Sequence, residues 1–228
     1  MPARHHVSPP ALVLLVRHGR VPTTGKELPA AGQGPNLSEE GQAEVSALGR
    51  LIASLRPALP PLTCIYASPL ARTLETASLL AKVLGLVPQE EPRLVDTGTG
   101  TWAGLELAAL SKQPGWATVV HQPSAFRFPE GEAMLAMQAR AVSTVRSFAA
   151  EHRGESIIAV SHADPIKAVL ADALGMYFDL FQRLVIAPAS LSAVLYGDEG
   201  PRVIATNWLA SPGDFPTLVP RRATRRRQ

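Results

Sequence analysis

The stretch ALVLLVRHGR, residues 11–20, sets six consecutive apolar residues directly against Arg17, His18 and Gly19. Such a run is far shorter than the roughly 20 residues a membrane helix needs. Without alternation, it reads as a strand buried on both faces, and such strands belong to parallel sheets covered by helices on either side. A chain built this way must put a cation and an imidazole at the exit of a buried strand. In open α/β sheets that is where ligands gather.

The rest of the chain repeats the pattern. A Pro/Gly-rich loop, VPTTGKELPAAGQGPN, follows the first strand (about 11–16) and leads to a helix that Ser38 can cap, with Glu39 and Glu40 in its first turn and Val45, Leu48, Leu51, Ile52 and Leu55 on one stripe. TCIYA runs into LARTLETASLLAKVLG, and SIIAV runs into DPIKAVLADALG; each is a strand, a turn and a helix ending in glycine. LSAVLYGDEGPRVIATNWL reads as two strands joined through Gly197, Asp198, Glu199 and Gly200. Alternation of this kind predicts an α/β fold, a three-layer sandwich with a mainly parallel central sheet and an antiparallel C-terminal hairpin at its edge. The expected organisation is a disordered segment at 1–10, one catalytic domain over 11–210 with an irregular cap or lid inserted at 86–130, and a basic disordered tail at 211–228.

Charge excludes less than it first suggests. The net charge is +3, but five arginines lie in the last eight residues, and without them 17 basic residues face 19 acidic ones, about −2. The body is therefore not a basic face for nucleic acid, and the tail reads as a solvated arm. Cys64, the single cysteine, stands in an apolar run and is expected to be a buried structural thiol. With no membrane-length run and no signal-like apolar stretch near the N-terminus, the expected location is the cytoplasm. The edge hairpin offers a surface on which two copies could pair as a homodimer.

The strand exits carry the chemistry. The first ends in Arg17, His18 and Gly19; the second ends in Ser68, with Arg72 one helical turn on; the third ends in Ser161, His162, Ala163 and Asp164. Guanidinium groups bind two phosphate oxygens at once, and a neutral imidazole is a competent nucleophile toward phosphorus. Two histidines also raise the possibility of a metal, but the sequence has no HExxH-type pair, and two nearby arginines repel a divalent cation. No metal or cofactor is expected.

VRHGR, SPLARTLETA and VSHADPIKAVLADALG stand in the order and context of the histidine phosphatase superfamily, the phosphoglycerate-mutase-like proteins, and the chain resembles that family from about Leu12 to Trp208. Its stretch 114–142 is similar to a branch often labelled probable phosphomutase. The resemblance implies a phosphoglycerate mutase-like fold in which His18 is the nucleophile and becomes a phosphohistidine. Arg17, Arg72 and His162 would then hold the phosphoryl oxygens, and the backbone at Ala163 would add N–H donors.

Three departures accompany the resemblance. Asp96 stands at the position of the usual glutamate proton donor, with Ala103 where a second acid often sits. SHAD, with Asp164, replaces the common SHGG, making Asp164 either a competing donor or simply an acid at a helix N-terminus. Thr24 stands where relatives commonly carry an asparagine that touches phosphate. Glu132, in PEGEAM, is expected to open a helix running to about His152, either facing the pocket to bind substrate hydroxyls or serving as a first-turn acid. His5, His6, His121 and His152 are read as surface residues, and Trp102 and Trp116 as lid packing.

The expected activity is a metal-independent phosphomonoesterase acting on a small phosphorylated metabolite. The alternatives are a phosphomutase working within a sugar or glycerate and a phospholigand-binding module without efficient chemistry.

Overall fold

The computed structural model describes residues 8–29 and 32–210; the expectations for residues 1–7, for His5 and His6 among them, and for the basic tail 211–228 lie outside the described residues. The strands are β1 (Ala11–Arg17), β2 (Leu62–Ala67), β3 (Pro88–Glu90), β4 (Ser156–Ser161), β5 (Leu191–Gly197) and β6 (Gly200–Trp208). They form one sheet in the order β3-β2-β4-β1-β5-β6. β3, β2, β4 and β1 are parallel, whereas β5 is antiparallel to β1 and β6 is antiparallel to β5. The C-terminal hairpin thus closes one edge, as its turn residues imply.

Helices α1 (Glu39–Leu55) and α2 (Ala71–Leu84) cover one face, and α5 (Met134–Glu151) and α6 (Ala163–Ala173) cover the other. The alternation of β1 divides its side chains between the two layers. Leu12, Leu14 and Val16 pack with Val45, Leu48 and Ile52 of α1, while Ala11, Val13 and Leu15 pack with Val145 and Phe148 of α5. The expected caps are present: Ser38 Oγ accepts a hydrogen bond from Gly41 N at 3.1 Å, and α2 ends on Gly85 at φ 67°.

Four local expectations are corrected. β3 lies inside the segment read as a cap; it is a three-residue edge strand opened by a proline, which an edge tolerates because the missing N–H faces no neighbour. The cap therefore begins beyond it, with α3 (Leu107–Leu110), α4 (Trp116–His121) and short 3₁₀ turns. Glu132 does not open a helix, since α5 starts at Met134 with Ala133 as its N-cap. His152 is not a surface residue: its side chain is 13 % exposed, lying 2.9 Å from Tyr66 Oη and 2.8 Å from Glu155, because the end of α5 turns back onto β2. Cys64 is half-buried rather than buried.

The cap has a small core of its own, formed by Val119 and Phe128 with Met134 and Met137 of α5 and Phe178 and Phe181 of a 3₁₀ segment after α6. Among the described residues no helix is long and apolar enough to cross a membrane.

The exit of β1 is seated on α1 through two glycines. A Cβ at Gly19 would stand 2.7 Å from both Gly41 O and Val45 Cγ2, and one at Gly41 would collide with the Arg20 carbonyl. Backbone cannot yield as a flexible side chain can. Gly41→Ala is therefore expected to cost about 1–3 kcal/mol in urea denaturation.

Candidate active site

Three adjacent strands deliver the site. Arg17 ends β1, His18 N donates to Ser161 O at 3.0 Å, and Ser68 N donates to Val160 O at 3.0 Å, so the exits of β1, β4 and β2 are held in register. Arg72, in the first turn of α2, is 2 % exposed. Gly19 N donates to Thr76 Oγ1 at 3.1 Å, which ties the first motif to the same helix. His18 is 5 % exposed and His162 is fully buried, with their rings 5.2 Å apart.

Hydrogen bonds fix the tautomer of His18. Its Nδ1 lies 2.8 Å from Gly19 O, an acceptor only, so Nδ1 carries the proton. Nε2 is left with its lone pair and accepts from Arg72 Nε–H at 3.3 Å. Burial, then His162, Arg17 and Arg72, hold the His18 pKa well below 6.5; burial and Arg72, Arg17 and Arg140 do the same for His162. Both rings are neutral at pH 7.

The remaining donors converge on one spot. Arg17 Nη1 donates to Ile186 O at 2.7 Å, while its Nε is buried with no partner among the described residues. His162 Nε2 lies 2.9 Å from Ser68 Oγ, and its Nδ1 is likewise buried without a hydrogen bond. Asp96 Oδ2 sits 3.2 Å from Arg72 Nη2 and 3.6 Å from His162 Nδ1. With His162 neutral, the second contact is not an ion pair. Arg17, His18, Arg72 and Asp96 line a cavity of about 510 Å³, within the range of small-molecule sites, whereas His162 and Ser68 lie behind its lining.

Of the other residues the sequence singled out, Thr24, Ala163 and Asp164 line this cavity. Thr24 Oγ1 accepts from Val21 N at 2.9 Å, so the hydroxyl also shapes its own turn. Ala163 opens α6, where the helix leaves its N–H without an internal partner. Asp164, 30 % exposed, has its pKa raised by burial, against the pull of Lys167 at 3.6 Å.

Glu132 is not among the cavity residues, which removes its pocket-facing role. Its carboxylate accepts from Arg140 Nε at 3.1 Å, Arg140 Nη2 at 2.9 Å and Gly98 N at 3.2 Å. Trp116, read as lid packing, both packs against Trp102 and lines the cavity.

Arg140 carries no sequence signal, and the clamping role of Ser161, read only as part of a strand exit, carries none either. Arg140 donates to the carbonyl oxygens of Arg93, Val95 and Asp96 at 2.8, 2.9 and 3.4 Å, and Ser161 Oγ donates to Leu94 O at 2.7 Å. Together they clamp the backbone that carries Asp96. Neither residue is near Asp96 in sequence, so only tertiary structure reveals the link. Among the described residues, no three His, Cys, Asp or Glu side chains converge as metal ligands would.

The family model of the histidine phosphatase superfamily (branch 1) matches residues 13–209, and the chain belongs to that superfamily. Among its relatives are phosphoserine phosphatase 1 of Hydrogenobacter thermophilus, 25 % identical over 79 % of this chain and 84 % of that one, and a Yersinia pestis protein named "Probable phosphoglycerate mutase GpmB", 28 % identical over 89 % and 92 %. A bifunctional protein of Mycobacterium tuberculosis is 29 % identical over 87 % of this chain, which spans only 54 % of that relative's length. In structure the chain is similar to Bacillus stearothermophilus YhfR (TM-score 0.79, 21 % identity, 87 % and 98 % covered). It is also similar to a mycobacterial glucosyl-3-phosphoglycerate phosphatase (0.74, 23 %, 86 % and 99 %). The fold is that of the phosphoglycerate mutase-like histidine phosphatases.

The depressed His18 pKa has a thermodynamic sign. Below pH 6.5 the unfolded chain takes up a proton that the folded site resists, so stability is full above 6.5 and falls as the pH drops. The raised Asp164 pKa works in the opposite sense, so the test is a difference between proteins. In denaturant titrations across this window, His18→Gln should lose stability less steeply than wild type, by up to about 1.4 kcal/mol per pH unit.

Proposed function

We propose that the protein is a metal-independent phosphomonoesterase that acts on a small phosphorylated metabolite through a phosphohistidine at His18. The observation that carries this reading is the His18 ring: neutral, with the proton on Nδ1 and the Nε2 lone pair presented beside Arg72. Nε2 attacks phosphorus as the ester P–O bond breaks, and the departing alcohol oxygen takes a proton from a carboxylic acid. Water then attacks phosphorus, the P–N bond breaks, and the proton lost by water returns to the carboxylate. Arg17, Arg72 and His162 stabilise the charge spread over the equatorial oxygens, a reading supported by the unpartnered buried nitrogens Arg17 Nε and His162 Nδ1.

Asp96 is our assignment for the acid. It already occupies the floor, on the same guanidinium that a phosphoryl group would take. An arriving dianion would displace it from Arg72 and free its carboxyl to face the leaving-group oxygen. Asp164 supports a second reading, because it lines the cavity and burial raises its affinity for a proton.

Phosphate release from p-nitrophenyl phosphate in excess EDTA is expected for the wild type and lost in His18→Ala; turnover that stops in EDTA, or survives the substitution, would sink the mechanism. Asp96→Asn is expected to slow an alkyl phosphate by roughly 10²–10⁴ and an aryl phosphate much less, because a good leaving group needs little protonation. The same discrimination appearing in Asp164→Asn and not in Asp96→Asn would move the role to Asp164.

A further inference from the structure

The cavity at His18 is lined by groups of two kinds. Arg17, Arg72 and Asp96 make its floor polar, whereas Leu28, Leu107, Trp116, Val120 and Phe128 contribute an apolar wall. A phosphoryl group needs only the floor.

The wall is built rather than incidental. Leu28 N donates to Leu105 O at 3.0 Å and Leu107 N to Lys26 O at 2.8 Å, so the loop after β1 is sewn to the start of α3. Trp116 packs on Trp102 at 6.4 Å between ring centroids, and Trp102 packs on Phe126 and Phe128 at 5.5 and 5.6 Å. Phe128 is 3 % exposed. The cation that the wall does carry, Lys167, is engaged by Gln182 Oε1 at 2.8 Å and by Asp164 at 3.6 Å. Thr23, Thr24, Glu27, Thr97, Thr99 and Gln182 also line the cavity and can hydrogen-bond, but against the five apolar residues a sugar or glycerate would set hydroxyls or a carboxylate on aliphatic and aromatic carbon, losing hydration there with little in return.

We infer that the site takes phosphate monoesters of apolar alcohols, with the phosphoryl group on the cationic floor and an aliphatic or aromatic body against the wall of Leu28, Leu107, Trp116, Val120 and Phe128. The inference rests on the phosphatase reading only for where the phosphoryl end lies. Burial of each methylene should tighten binding about fourfold, equivalent to ~0.8 kcal/mol.

The test is the binding of ethyl-, butyl- and hexylphosphonate, whose C–P bond is not hydrolysed, to wild-type protein by calorimetry, with inorganic phosphate and 3-phosphonopropionate alongside. The expected result is a dissociation constant that falls by more than tenfold from ethyl to hexyl. Leu107→Asn, close in shape to the leucine it replaces, should lose part of that gain. A dissociation constant that does not fall with chain length overturns the inference, as does tighter binding of 3-phosphonopropionate than of butylphosphonate. If nothing binds, inorganic phosphate included, the floor does not hold the phosphoryl end and the inference falls with it. Because binding is read without turnover, a flat series in an active enzyme defeats the substrate class alone, and a steep series in an inactive one defeats only the hydrolytic mechanism.

Discussion

One arginine almost out of reach of water and a second partly buried stand beside two uncharged histidines, and most of the architecture around the site answers that concentration of charge. Removing a guanidinium from water costs several kcal/mol unless partners replace the hydration. Arg72 finds the lone pair of His18 and the carboxylate of Asp96; Arg17 finds the carbonyl of Ile186. The replacement is incomplete, because Arg17 Nε and His162 Nδ1 remain buried and unpartnered among the described residues. A phosphoryl group brings the charge and the acceptors that would complete it. Burial first, and then the same arginines, keep both imidazoles neutral, so on the proposed mechanism one arrangement prepares the anion site and the nucleophile together.

On the proposed mechanism, Asp96 serves both states of such a site. Unliganded, it compensates Arg72. Liganded, it must leave that contact without moving far from the reacting oxygen. Anchoring by backbone rather than by side chain suits this demand: Arg140 and Ser161 hold the carbonyls of residues 93–96, and Arg140 is itself oriented by both oxygens of Glu132. The carboxyl can exchange partners while its Cα stays fixed. Glu132 thus contributes to the site from outside the cavity, through a chain of contacts that ends at the backbone of Asp96.

The residues legible in the sequence were those whose signal is local. Six apolar residues running into Arg17 and His18 marked a buried strand and its ligand end, Ser38 with two glutamates marked a helix start, and Gly85 marked a helix stop. Arg72 could be placed because one helical turn from a strand exit returns to the same rim. Signals that depend on tertiary structure were not legible. β3 has three residues and begins with proline, so no periodicity announces it. The pairing of His152 with Tyr66 and that of Arg140 with three carbonyls link segments far apart in the chain. The apolar wall is assembled from the loop after β1, from α3 and α4, and from Phe128, none of which shows a regular pattern.

That wall also bears on whether the phosphoryl group ends on water or on another hydroxyl. A mutase must hold its substrate's second anionic group while the phosphoryl group rests on histidine, and then turn the molecule without releasing it. Among the described residues lining the cavity, the cations are Arg17, Arg72 and Lys167. The first two belong to the transferred group, and Lys167 is already committed to Gln182 and Asp164. An apolar body held by dispersion and desolvation has no second charge to anchor it, and once the P–O bond is cut the alcohol keeps only the contacts it makes with carbon. Its departure opens the floor to water while His18 still carries the phosphoryl group. The division of the cavity into a cationic floor and an apolar wall therefore favours hydrolysis over transfer on the same grounds that it favours apolar esters.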